Sequence, residues 1–159
     1  MTPGGRPLSV RMSNFGPLGW VSDPRGYRYQ AIHPETGQGW PDIPAVLLDL
    51  WAATVGGPTP DACLVNLYRD GARMGLHQDR DEQDLQAPIV SVSLGMSATF
   101  QFGGLRRSDP VRRVPLHHGD VVVWGGVDRL RYHGVLTVRG EPHALSGARR
   151  LNLTFRKAL

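Results

Sequence analysis

From residue 63 onward, short apolar runs alternate with turn residues. Candidate strands are 63–68, 89–94, 98–102, 120–124, 131–135 and 150–156, separated by Asp70-Gly71, Gly103-Gly104, His118-Gly119 and Gly125-Gly126. Short strands at this spacing predict a mainly β, α+β domain built as a sandwich or barrel. The last segment has the clearest period of two. Leu151, Leu153 and Phe155 share one face, while Arg150, Asn152, Thr154 and Arg156 share the other. The upstream part reads differently. Residues 20–29 mix aromatic and polar side chains around a turn near Asp23-Pro24. A helix should follow, with Asp42 able to cap it, Pro44 near its first turn and Gly56-Gly57 ending it. Its apolar positions, Val46, Leu47, Leu50, Trp51 and Val55, recur at helical spacing, as expected of a packing element without chemistry.

Composition narrows the class. A chain of 159 residues, 40% hydrophobic and 20% charged, suits one folded domain spanning 1–159 and excludes a disordered one. No apolar run approaches the roughly 20 residues of a membrane span, and residues 1–10 lack the apolar core of a secretion signal. Cys63 is the only cysteine, which excludes an internal disulfide and a cysteine metal cluster. A reducing compartment, the cytoplasm, is expected, with a monomer as the default. Charge is uneven: residues 1–100 carry a net −3, and residues 101–159 a net +7. The basic C-terminal portion could attract nucleic acid or could simply be a solvated surface.

His77-Gln78-Asp79 is the first chemical signal. In an extended segment, residues two apart face one side, so an imidazole and a carboxylate would address one volume. A second histidine would complete the 2-His-1-carboxylate face that leaves iron(II) positions open for a cosubstrate and oxygen. His33, His117, His118, His133 and His143 are the candidates. His133 is preferred because it lies in a plausible strand with Gly134 beside it. The others fall in turn or loop sequence.

The polar face of the last strand is the second signal. Two arginines on an inward-facing stripe are unfavourable without anionic partners. Arg150 and Arg156 lie six residues apart, about 20 Å along a strand, so their side chains could bracket a short dicarboxylic acid. Asn66 and Tyr68, two apart on another candidate strand, could join this clamp. The same residues could equally be an ordinary strand surface.

Together these segments resemble the AlkB family of nucleic-acid dealkylating dioxygenases. The resemblance is carried by Leu18-Gly19-Trp20, Gly26-Tyr27-Arg28-Tyr29, Asn66-Leu67-Tyr68, Leu76-His77-Gln78-Asp79-Arg80-Asp81-Glu82, Phe100-Gln101-Phe102-Gly103-Gly104, Tyr132-His133-Gly134 and Asn152-Leu153-Thr154-Phe155-Arg156. It implies a double-stranded β-helix (jelly roll) core over 61–159, with 1–60 forming a nucleotide lid and packing helix. It implies iron(II) on His77, Asp79 and His133. It implies 2-oxoglutarate contacted by Asn66, Tyr68, Arg150, Asn152 and Arg156, with Arg156 toward the 1-carboxylate and Arg150 toward the 5-carboxylate. It also implies a nucleotide pocket involving Trp20, Tyr27, Tyr29, Asp81 and Arg107, with Arg106 as a second candidate for phosphate. O2 would be the other cosubstrate, and single-stranded DNA or RNA with N-alkylated bases the substrate. A protein or small-molecule substrate, and a non-catalytic binding module on the same scaffold, are the alternatives. Two departures stand out: the chain begins later than typical relatives, which bears on substrate range, and Leu151 replaces a common aromatic residue.

Overall fold

The clean alternation of the last strand places it at the middle of the larger sheet, with one face toward a helix and the other toward a second sheet. In chain order the computed structural model contains β1 (Arg11–Phe15), β2 (Gly19–Asp23), β3 (Gly26–Gln30), α1 (Ala45–Thr54), β4 (Ala62–Arg69), β5 (Met74–His77), β6 (Ile89–Gly95), β7 (Ala98–Phe102), β8 (Arg112–Leu116), β9 (Val121–Trp124), β10 (His133–Val135) and β11 (Arg149–Arg156). It describes residues 8–159; residues 1–7, most of the stretch noted for lacking a signal core, lie outside the described residues.

The larger sheet has the order β1-β4-β11-β6-β9, the smaller β5-β10-β7-β8, and β2-β3 form a separate hairpin. The pairings within these sheets are antiparallel. Two facing antiparallel sheets make a jelly roll. Two apolar clusters follow from the alternation. Leu153 and Phe155 pack with Trp51, Ile43, Cys63, Val90 and Val92, so α1 covers the outer face of the larger sheet. Tyr68, Ala98, Phe100, Leu116 and Val135 form the cluster that joins the two sheets. The polar stripe of β11 therefore faces the space between the sheets.

Several expectations need correcting. The helix begins after Pro44 with no side-chain cap, so Asp42 does not cap it. Gly56 and Gly57 do follow its end, at φ of 61° and 74°, the left-handed backbone that glycine tolerates best. Val46 is 70% exposed and is not on the packed face. The strand expected at 131–135 shortens to His133–Val135 because Arg131 and Tyr132 bond back to Asp128 and Gly104. Strands β1, β2, β3, β5 and β8 were not among the expected ones. Strand β8 reads Arg-Arg-Val-Pro-Leu on a sheet edge, largely exposed, and an edge strand without apolar alternation gives little periodic signal. Among the described residues no helix is long and apolar enough to cross a membrane.

A side chain of the larger sheet holds the start of the hairpin, beside the backbone bridge from Leu18 to Ala62. Asn14 of β1 donates from Nδ2 to the Trp20 carbonyl and accepts the Trp20 N–H on Oδ1, at 3.1 and 3.0 Å. This amide substitutes for a strand ladder and fixes where Trp20 begins.

Phe155 is fully buried beneath α1. Phe155→Ala is expected to lose about 3–5 kcal/mol of stability, whereas Val46→Ser on the exposed helix face should change it by less than about 0.5 kcal/mol. Urea denaturation followed by circular dichroism measures both.

Candidate metal centre and the cavity around it

Strands β5 and β10 pair so that His77 lies directly opposite His133. Gly134 makes this approach possible: a Cβ there would stand 2.7 Å from the Met74 carbonyl oxygen and 3.0 Å from that of Gly75. Asp79 follows His77 by two residues, at the start of an irregular stretch leading to β6. One ligand atom from each of His77, Asp79 and His133 lies within 4.8 Å of the others. His77 Nε2 is 3.6 Å from Asp79 Oδ1, and His133 Nε2 is 3.5 Å from Asp79 Oδ2.

The tautomers follow from the backbone. His77 Nδ1 lies 2.9 Å from the Gly75 carbonyl and His133 Nδ1 lies 3.0 Å from that of Arg131. A carbonyl only accepts, so each Nδ1 carries a proton, and Nε2, beside the carboxylate, is the ring atom left to ligate a cation. This is the arrangement by which proteins orient metal-binding imidazoles. Burial pushes the His77 pKa down, against the pull of Asp79, which keeps the ring neutral and able to ligate. Burial alone would raise Asp79. The Arg156 guanidinium, with His133 and His77, overcomes that and holds the carboxyl well below the usual range.

Behind the triad lies a charge network. Arg156 donates from Nη2 to Asp79 Oδ2 at 2.6 Å, and its Nε is 3.0 Å from Glu82 Oε1. Tyr29 donates its hydroxyl to the same Glu82 oxygen at 2.6 Å, and Arg129 meets Oε2 at 3.1 Å. Burial, together with the charge of Glu82, raises the Tyr29 pKa far above that of a free phenol, so this hydroxyl stays a donor.

Arg150 differs from the other buried arginines. It is 1% exposed. Its Nη2 donates to Ser93 Oγ at 2.9 Å, and its guanidinium carbon lies 4.9 Å from the centre of the Tyr68 ring. Its Nε and Nη1 are buried without a hydrogen-bond partner, as is Asn66 Oδ1. Burial pushes the Arg150 pKa down, which marks a guanidinium without a protein counter-charge. Arg129 and Arg156 each have a carboxylate. Burial pushes the Tyr68 hydroxyl up to about 12, so it too remains a donor. Asn152 is already engaged: it donates to Ser91 Oγ and the Val92 carbonyl and accepts from Thr154.

The triad, Arg156, Glu82, Tyr29, Arg150, Asn66, Tyr68 and Asn152 line one cavity of about 360 Å³ between the sheets. That volume suits a small ligand with a base. Trp20 and Tyr27 line it from the hairpin, stacked at 5.2 Å between ring centres. Trp20 Nε1 donates to Asp81 Oδ2 at 2.8 Å, so Asp81 also anchors the indole. Trp124 lines the cavity too, 4.9 Å from the His133 ring.

Of the residues named from the sequence, the cavity gathers His77, Asp79, His133, Asn66, Tyr68, Arg150, Asn152, Arg156, Trp20, Tyr27, Tyr29 and Asp81. Arg107 is not in its lining; it is exposed and rests over Tyr132 at 5.9 Å. His33, His117, His118 and His143 lie outside that lining: His33 and His143 accept from backbone N–H groups two residues on, His118 accepts from the Gly95 N–H, and His117 meets the Ser97 hydroxyl. Sequence reasoning missed Glu82 as a buried bridge and Arg129 altogether. Glu82 reads as one more acid in a charged run, and nothing around Arg129 distinguishes it from a surface arginine.

Comparison with known proteins adds three findings. The model of the 2OG-Fe(II) oxygenase superfamily matches residues 1–156. The chain is 53% identical over 163 residues to the alpha-ketoglutarate-dependent dioxygenase AlkB of Escherichia coli (strain K12), covering 99% of this chain and 76% of that one. It is 36% identical over 171 residues to the DNA N(6)-methyladenine demethylase ALKBH1C of Arabidopsis thaliana, covering 88% and 38% respectively. The solved structure of OsALKBH1 superposes with a TM-score of 0.78 at 31% identity, covering 99% of this chain and 83% of that one.

Arg150 yields a direct test. With Mn(II) present, a dicarboxylate at one hundred times its Kd should stabilise the parent by about 2.7 kcal/mol, roughly 5–10 °C in melting temperature for a domain of this size. Arg150→Met should abolish the rise produced by 2-oxoglutarate. Its ligand-free melting temperature should equal or exceed the parent's, because a buried unpaired charge has been removed. Differential scanning fluorimetry reads both effects.

Proposed function

The chain belongs to the AlkB family within the 2OG-Fe(II) oxygenase superfamily, and on that premise we propose that it removes alkyl groups from 1-methyladenine- and 3-methylcytosine-type bases in single-stranded DNA or RNA. It is an iron(II)- and 2-oxoglutarate-dependent dioxygenase acting on nucleic-acid bases. The observation that carries the finer reading is the sharing of one cavity by a His-Asp-His set, an unpaired buried guanidinium and a stacked aromatic pair at the hairpin.

The residues present fit the cofactor and cosubstrate. Two imidazoles and one carboxylate are a donor set suited to iron(II). Arg150 keeps Nε and Nη1 without a protein partner, and a carboxylate is the anion a guanidinium recognises best. On this reading His77, Asp79 and His133 hold the metal. Arg150, with Tyr68 and Asn66, holds the far carboxylate of 2-oxoglutarate, and Arg156 orients the near one. Asn152, tied to Ser91 and Thr154, keeps the floor of the cavity in place. When bound, iron(II), 2-oxoglutarate and O2 supply the oxidising chemistry, yielding succinate, carbon dioxide and a hydroxylated alkyl carbon that leaves as an aldehyde.

The substrate side follows from the hairpin. A base must leave any duplex stack to enter. Trp20 and Tyr27 offer it an aromatic face, worth about 1–3 kcal/mol per base. Asp81, held by the indole N–H, favours the cationic form of an alkylated adenine or cytosine. Arg107, on the surface beside Tyr132, takes a strand phosphate, a role Arg106 could share. Residues 1–60 serve as lid and packing helix, and 61–159 as the catalytic core, in a monomer working in the cytoplasm. No feature of the cavity favours a protein or small-molecule substrate.

The test uses single-stranded oligonucleotides carrying one 1-methyladenine or 3-methylcytosine, with iron(II), 2-oxoglutarate and air. Formaldehyde and succinate should form in equal amounts. His77→Ala or Asp79→Ala should lose at least about a hundredfold in rate. Parent protein that binds metal, decarboxylates 2-oxoglutarate with another substrate and leaves every methylated strand intact would overturn the reading.

A further inference from the structure

Asp79, Asp81 and Glu82 all sit in the irregular stretch between β5 and β6, where no strand ladder fixes the backbone. Such a segment is a poor place for a metal ligand unless something else holds it. One side chain does so at three points. Arg129 is 2% exposed. It donates from Nη1 to the Asp79 carbonyl at 2.6 Å, from Nη2 to Glu82 Oε2 at 3.1 Å, and from Nε to the Ala87 carbonyl at 3.0 Å. These acceptors mark the beginning, middle and end of the stretch. Its neighbour adds a fourth tie, since Gln78 Nε2 donates to the Leu130 carbonyl at 2.6 Å.

The anchor is itself placed with respect to the other ligands. Arg129 closes a short 3-10 turn, Gly126–Asp128, with its own N–H bonded to the Gly126 carbonyl, and stands four residues before His133. The same guanidinium thus connects the stretch carrying Asp79 to the segment carrying His133. Through Glu82 it also reaches Arg156 and Tyr29.

We infer that Arg129 is a positioning residue for the metal centre: it fixes the backbone of Asp79 relative to His133 by pinning residues 79–87. The role needs a planar fork with donors in three directions. Lysine offers a single point charge and cannot meet three spread acceptors. Groups that orient ligands typically alter metal affinity by about 10- to 100-fold when removed. The inference rests on reading His77, Asp79 and His133 as the metal ligands, and it is independent of which substrate is oxidised.

The experiment compares the parent, Arg129→Gln, Arg129→Lys and Leu153→Ala. Leu153 lies in the core beneath α1, outside the cavity, and its truncation supplies a loss of stability without a change at the site. Mn(II) affinity is measured by electron paramagnetic resonance without cosubstrate or nucleic acid. Amide exchange of residues 80–87 is measured on metal-free protein. Arg129→Gln and Arg129→Lys should both weaken Mn(II) binding about 10- to 100-fold, and amide exchange across 80–87 should speed up at least about tenfold. Leu153→Ala should leave Mn(II) affinity within about twofold of the parent's. Mn(II) affinity unchanged in Arg129→Gln, full rescue by lysine, or an equal loss in Leu153→Ala would overturn the inference. Should Arg129→Gln fail to fold, the same comparison is made with Arg129→Lys. Failure of the parent to bind Mn(II) would instead overturn the metal-centre reading itself.

Discussion

Burying the Asp79 carboxylate sets the terms for the rest of the site. Removing an ionised carboxylate from water costs several kcal/mol unless nearby groups compensate. Here Arg156 does so directly at 2.6 Å. Arg156 needs more than Asp79 to be settled, and Glu82 provides it; Glu82 in turn takes Arg129 and the Tyr29 hydroxyl. The result is a buried array of two carboxylates and two guanidiniums in which each charge has an opposite neighbour. The carboxylate stays ionised, held below the usual range by Arg156 against its own burial, and burial keeps the His77 ring neutral. That protonation pattern is the one a cation requires.

The two arginines of β11 show why one strand can serve two purposes. Their spacing suggests equivalent ends of a clamp, yet the protein treats them differently. Arg156 is neutralised by Asp79 and Glu82, whereas Arg150 meets only a serine hydroxyl and the face of Tyr68. A buried guanidinium with unspent donors is unfavourable in isolation. It is therefore the end of the cavity where an external carboxylate gains most. The apolar face of the same strand, through Leu153 and Phe155, packs against α1.

The sequence made this much legible because alternation is a strong signal. The period of two in residues 150–156 separates core from cavity without knowledge of the partner strands, and the His77-Asp79 spacing places an imidazole and a carboxylate together. The choice of His133 followed from its strand context, and β10 does lie beside β5. What stayed hidden depends on long-range pairing. Strand β8 is an exposed edge with no apolar period. Arg129 meets partners more than 40 residues away, and Glu82 is distinguished from Asp81 and Asp84 only by burial. Asp42 shows the converse: a good capping residue in sequence that the chain leaves unused, because the helix begins only after Pro44.

The most direct measurement is anaerobic absorption spectroscopy of iron(II)-loaded protein titrated with 2-oxoglutarate. Chelation of iron(II) by the keto acid produces a visible charge-transfer band. The account predicts a band that saturates at one equivalent in the parent and is absent from Asp79→Ala. A parent that develops no band, or a band that persists unchanged without the Asp79 carboxylate, would contradict it.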